Sequence, residues 1–274
     1  MDRDFIWEAD YGERRKVYDV SKKLLTTQKA ESLQCISYFV NNNPYNLEFY
    51  ILVSYNTPTE EEMVYMKQNF ENIGLKYRND VTMDTLFCEM KNRRFNSVAF
   101  CDEKEFDRDV EGLFWFPERR KLEKMGYIMK SFTINKEIFI SHASENKDRI
   151  RKLIPYLNGK NMAVWFDEYN INGGDRLYDR IKSGMEEATV IVFWVSKGFL
   201  KSNWCREEMK IAADMKLKQI YIIDEDVDFK ELKKDNLDYK YIIIKQSDTI
   251  ELIARKILDC IEKNMVCMDS KAHI

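Results

Sequence analysis

Hydrophobic positions follow two different rhythms along this chain, and the rhythm changes near its middle. Residues 1–130 mix helical and alternating stretches. Glu13–Glu31 has helical spacing. Cys35–Val40 and Leu47–Tyr55 have strand composition, and Asn41-Asn42-Asn43-Pro44 is the expected turn between them. Thr59-Glu60-Glu61-Glu62 has the form of a capping box. The helix it opens carries Met63, Met66, Phe70 and Ile73 on one face and stops at Gly74. Ser97–Cys101 is a further short strand. Phe114-Trp115-Phe116-Pro117 is an aromatic knot, expected to pack in a core, with a partner-binding surface as the alternative.

Beyond residue 130 strands and helices alternate regularly. The strands are Glu137–Ser141, Met162–Phe166, Thr189–Val195, Gln219–Ile223 and Tyr241–Ile244. The helices are Asn146–Asn158, Arg176–Glu187, Ser202–Leu217 and Asp248–Glu262. Near-continuous apolar strands separated by helices predict a parallel sheet covered on both faces. Five of them predict a flavodoxin-like doubly wound sheet, preceded by a smaller α+β domain. The expected division is 1–130, of no recognised family, and 131–274. Ligands of such sheets bind beyond the carboxyl ends of the strands. Those ends carry Ser141-His142, Asp167-Glu168 and Ser196.

One helix breaks its own pattern. At about 100° per residue, Trp204, Cys205, Met209, Ile211, Ala212 and Met215 fall on one side of Ser202–Leu217. Arg206, Glu207, Lys210 and Asp214 fall on the other. Glu208 lies within the apolar side. Carboxylates are rarely buried without a partner, so Glu208 is either a structural acid with an internal partner or a cleft acid with chemistry to do.

Composition narrows the chemistry. Hydrophobic residues make up 45% of the 274, enough for packed cores. A net charge of -3 gives no basic field for a nucleic acid backbone. None of the six cysteines forms a CxxC or a zinc-ligand spacing. The two histidines, His142 and His273, leave little from which to build a metal centre, so none is expected. Ser141 and His142 are neighbours on a strand end and point to opposite faces, which disfavours a nucleophile–base pair. No apolar run approaches the roughly 18 residues of a membrane helix. Met1-Asp2-Arg3-Asp4 has no signal-peptide character. The expectation is a cytoplasmic protein with free thiols and no membrane partner.

Three ordered motifs carry a family resemblance. Ile138-Phe139-Ile140-Ser141-His142-Ala143-Ser144-Glu145 resembles the first strand and loop of a TIR (Toll/interleukin-1 receptor) domain. Val164-Trp165-Phe166-Asp167-Glu168, with Ile171, Gly174-Asp175 and Leu177, resembles its second strand and BB loop. Phe193-Trp194-Val195-Ser196, with Phe199-Leu200, Ser202, Trp204-Cys205 and Glu208, resembles its third strand and following helix. The likeness covers roughly 135–265 and is nearest to bacterial members.

The resemblance implies cleavage of NAD+ at the nicotinamide–ribose bond. The family's catalytic glutamate follows the helix-opening tryptophan by four residues, a spacing matched here by Trp204 and Glu208. It further implies that Ser141, His142 and Ala143 line the nicotinamide pocket, that Asp167 and Gly174 border it, and that Trp204 buttresses the helix. NAD+ is then substrate rather than cofactor, and no metal is required. Ala143-Ser144 stand where animal members carry basic residues, and Tyr169 where many plant members carry a glutamate. The family also implies self-association through the BB loop, here 168–177, and a trigger or downstream effector. By analogy with two-domain bacterial members, the implied setting is anti-phage defence, with ADP-ribose or a cyclic isomer as product. The competing expectation is a TIR–TIR scaffold without activity. A phosphate-receiver domain shares the fold class, but Ser196 stands where it needs an aspartate.

Overall fold

The computed structural model describes residues 2–43, 46–92, 95–113, 124–126, 137–167, 177–228 and 241–269. The chain divides into two compact units of nearly equal length. One comprises 1–134 with 158–161, and the other 135–157 with 162–274.

The first unit contains β1 (Asp2–Glu8), α1 (Arg14–Thr27), β2 (Leu33–Asn43), β3 (Asn46–Asn56), α2 (Glu60–Asn72), β4 (Lys76–Tyr77), α3 (Met83–Lys91), β5 (Asn96–Phe100) and α4 (Glu103–Asp109). Its sheet is antiparallel in the order β4-β1-β3-β2-β5. Aromatic rings fill its core. Tyr38 meets the edges of Phe49, Phe100 and Phe106, and Trp7 packs on Phe70 and Tyr77. The expected turn at Asn41–Pro44 is displaced, because β2 and β3 stay paired as far as Asn43 and Asn46. The capping box is present: Thr59 Oγ1 accepts from Glu62 N, and Glu62 Oε2 accepts from Thr59 N. Gly74 ends that helix with φ +80°, a conformation glycine adopts without a Cβ penalty. The aromatic knot at Phe114–Pro117 lies outside the described residues.

The second unit contains β6 (Ile138–His142), α5 (Lys147–Asn158), β7 (Val164–Trp165), α6 (Leu177–Glu186), β8 (Val190–Val195), α7 (Lys197–Lys201), α8 (Asn203–Asp214), β9 (Gln219–Asp224), β10 (Tyr241–Ile244) and α9 (Ile250–Asp269). All its strand pairs are parallel, in the order β10-β9-β8-β6-β7. Counted along this unit the order is 5-4-3-1-2, the flavodoxin-like arrangement expected from the pattern. Val190–Val195 is buried at every position, as a strand covered on both faces must be. β7 is shorter than its apolar run, since only Val164 and Trp165 pair with Ile138 and Phe139.

Alternation along the strands assigns side chains to layers. Phe139, Ile191, Phe193, Val195, Tyr221 and Ile223 form a core with Ile181 and Met185 of α6 and Cys205, Ile211 and Ala212 of α8. Phe139 stacks on Trp165 with centroids 4.5 Å apart and planes 16° from parallel. A Cβ at Gly184 would lie 2.5 Å from the Trp165 ring, so the missing side chain sets the close approach of α6. Ser141 shares its face with Phe139, and this parity directs it toward α8.

Candidate active site

Ser202 begins α8 by accepting a hydrogen bond from Cys205 N at 3.2 Å. The buried strip of the helix is Cys205, Glu208, Ile211 and Ala212. Met209 and Met215 are half-buried against the same core. Glu207 is paired with Lys210 on the outer side.

Glu208 is 8% exposed. Its Oε2 accepts a hydrogen bond from Ser141 Oγ at 2.5 Å, across 67 positions of sequence. Among the described residues that hydroxyl is its one hydrogen-bond donor, and no cation lies within ion-pair distance. Burial pushes the carboxyl up to about 7. The Ser141 bond works against that rise, and the nearby charge of Asp167 adds to it. Among the described residues the internal ion pair of a purely structural acid is therefore not found.

Asp167 follows β7. Its Oδ2 is 2.9 Å from Lys147 Nζ, and its Oδ1 is 3.6 Å from His142 Nε2. His142 stacks on Phe166, and its Nδ1 lies 3.0 Å from Ile140 O. Ser141 and His142 thus engage different partners on opposite sides of the strand, as alternation requires. Cys205 Sγ donates to His142 O at 3.4 Å. Burial pushes that thiol up to about 11, so it stays protonated and is no nucleophile.

The remaining candidates divide. Ala143 is buried within the core cluster. Trp204 is 40% exposed and lies on Tyr178 of α6 at 6.4 Å between centroids, so it flanks the apolar strip instead of buttressing it from within. It stands one helical turn before Glu208, and the strip therefore runs from a recessed acid to an exposed indole. Gly174 and most of the expected BB loop lie outside the described residues. Lys147 and Tyr178 are additions that sequence spacing did not supply, because each reaches the site only through tertiary packing. A separate cleft of about 270 Å³ lies at the same sheet end among Glu145, Arg149, Ser196, Asp224 and neighbours, and does not include Glu208. Among the described residues no group of three or more His, Cys, Asp or Glu side chains is arranged to hold a metal ion, and no helix is long and apolar enough to cross a membrane.

The family model for the TIR domain matches residues 138–253. That segment is a TIR domain. Bacterial and archaeal relatives align with part of this chain. The 2' cyclic ADP-D-ribose synthase BtTIR of Bacteroides thetaiotaomicron is 39% identical over 74 residues, 27% of this chain and 26% of that protein. The 2' cyclic ADP-D-ribose synthase AbTIR of Acinetobacter baumannii is 31% identical over 134 residues, 46% of this chain and 49% of that protein. The NAD(+) hydrolase TcpA of a Theionarchaea archaeon is 29% identical over 119 residues, 40% of this chain and 35% of that protein. The chain thus spans about a quarter to a half of the length of these curated relatives. Within the TIR domain, Glu208 and Ser141 lie at the carboxyl-end side of the first and third strands, beside the point where strand order reverses.

Proposed function

We propose that this protein cleaves NAD+ at the nicotinamide–ribose bond, with Glu208 as the essential carboxylate. The observation that carries the reading is a recessed acid with no cation partner among the described residues, in a TIR domain whose relatives are named as NAD+ hydrolases and cyclic ADP-ribose synthases.

The chemistry fits one acid. Ordinary glycosides need a general acid because an alkoxide leaves poorly. The nicotinamide of NAD+ is already a pyridinium cation. When the C–N bond breaks, nicotinamide takes the bonding pair and departs neutral, with no proton supplied. Positive charge then develops on the ribose, and a preorganised carboxylate in a low-dielectric site stabilises it. Water captures the sugar and gives ADP-ribose after losing a proton to solvent. Capture by a nucleophile of the same molecule gives a cyclic isomer. Trp204 and Tyr178 offer aromatic surface beside the acid for a flat ring.

The proposal extends to self-association through residues 168–177, to a cytoplasmic setting, and to bacterial anti-phage defence with residues 1–130 as the sensing or regulatory unit. The enclosure of Glu208 favours one competing reading, a TIR–TIR scaffold without turnover. One assay separates the two. Purified protein at high concentration is incubated with NAD+, and nicotinamide and ADP-ribose species are resolved by chromatography. The expected result is release by the unsubstituted chain and a loss of about 10²–10³-fold in Glu208→Gln with circular dichroism unchanged. Release that survives the substitution rejects Glu208, and no release at any concentration leaves the scaffold.

A further inference from the structure

Ser141 is the misfit of its strand. Ile138, Phe139 and Ile140 are apolar and buried, and Ser141 after them is only 1% exposed. A hydroxyl removed from water must bond to something. The near options are the backbone groups around it. It spans to α8 instead and donates to Glu208 Oε2. A hydroxyl has one proton, and this one is already committed. That commitment leaves Ser141 no proton to donate to substrate.

A carboxylate accepts at about four lone-pair positions. Glu208 uses one of them among the described residues. Oε2 is fixed, and Oε1 keeps its acceptor capacity. Such an under-satisfied buried anion costs free energy in the resting fold and is best compensated by an incoming positive charge.

We propose that Ser141 is the positioning residue of Glu208: by anchoring Oε2 it aims Oε1 at the ribose. The inference rests on the reading of Glu208 as the NAD+-cleaving acid. Among the described residues the charged and titratable groups around the carboxylate are few. Cys205 lies one turn back on α8. Asp167 approaches from the end of β7, itself engaged by Lys147 from α5 and close to His142 from β6. Ser141 is the only one of these elements' side chains that hydrogen-bonds the acid.

The test uses the full chain with Ser141→Ala and Ser141→Thr. The first readout needs no substrate: the midpoint of the Glu208 carboxyl followed by carbon-13 NMR across pH. Removing a donor to the charged form raises the midpoint, by about one pH unit in Ser141→Ala, and the threonine hydroxyl restores it. The second readout is nicotinamide release against pH. Ser141→Ala should lose about tenfold in kcat at pH 7 with KM within about twofold, keep a loss of several-fold at alkaline pH where Glu208 is ionised in both proteins, and recover in Ser141→Thr. A mere structural tie between β6 and α8 would lower stability and move the NMR midpoint but leave kcat unchanged where Glu208 is ionised, and that outcome overturns the proposal. A shifted midpoint without nicotinamide release from the unsubstituted chain keeps the anchor and overturns only the reading it rests on.

Discussion

Glu208 carries the cost of its own position. Burial lifts its carboxyl from 4.5 to about 7, so the folded chain holds this proton more tightly than the unfolded one. Between those values the folded state binds more protons, stability falls as pH rises, and the loss is complete above pH 7. A shift of that size corresponds to about 3 kcal/mol, taken as an order of magnitude. Glu208→Gln removes the charge and keeps an acceptor for Ser141. It should stabilise the protein by about 1–3 kcal/mol at pH 8 and by much less at pH 5. Urea denaturation at the two pH values measures this. A gain independent of pH would detach the cost from ionisation. The same group that weakens the fold at neutral pH is the one proposed to work on substrate, the trade expected where an acid is preorganised and not solvated.

At the scale of elements, the packing of α6 is set by one absent side chain. Gly184 meets Trp165, whose ring in turn stacks on Phe139 of β6. Gly184→Ala would gain helix propensity of about 1 kcal/mol and lose more by overpacking an indole that is already buried. The expected net effect is destabilisation of about 1–3 kcal/mol in thermal or denaturant unfolding. A neutral or stabilising result would mean that Trp165 has room to turn. Tyr178 lies on the same helix, so nicotinamide release should weaken with the shift of α6. Much of this layer was legible beforehand. The five strands, the parallel sheet and the Glu62 capping box follow from apolar runs and from a Thr-to-Glu spacing. β1 and α7 were not legible. β1 shows only Phe5-Ile6-Trp7 between charged ends, and its state is decided by pairing with β3 and β4. α7 spans five residues, too few for a period to appear.

For the whole molecule, the described groups around Glu208 all belong to one unit: Ser141 by a hydrogen bond, Asp167 by charge, and Cys205 beside it on the helix. None comes from residues 1–130. A fragment of residues 131–274 should therefore keep nicotinamide release, within about threefold of the full chain per active site, while losing any response to a trigger. Steady-state rates for the fragment and the full chain check this. A fragment that is folded but inactive would make the first unit part of the chemistry. Identical regulation in both would remove its proposed role.

The sequence by itself determined the second unit's architecture and singled out Glu208, because apolar periodicity and the Trp204-to-Glu208 spacing are properties of neighbours along the chain. It also showed that Ser141 and His142 cannot face the same way. Only the tertiary structure decided what each of them faces. The bond from Ser141 to Glu208 joins residues 67 positions apart, and it exists because parallel pairing of β6 with β8 brings α8 over the first strand. The exposure of Trp204, which the helical wheel places on the apolar side, was likewise decided by packing. A helical wheel assigns a direction to each side chain, but the extent of the surface that covers it is fixed only when the layers pack.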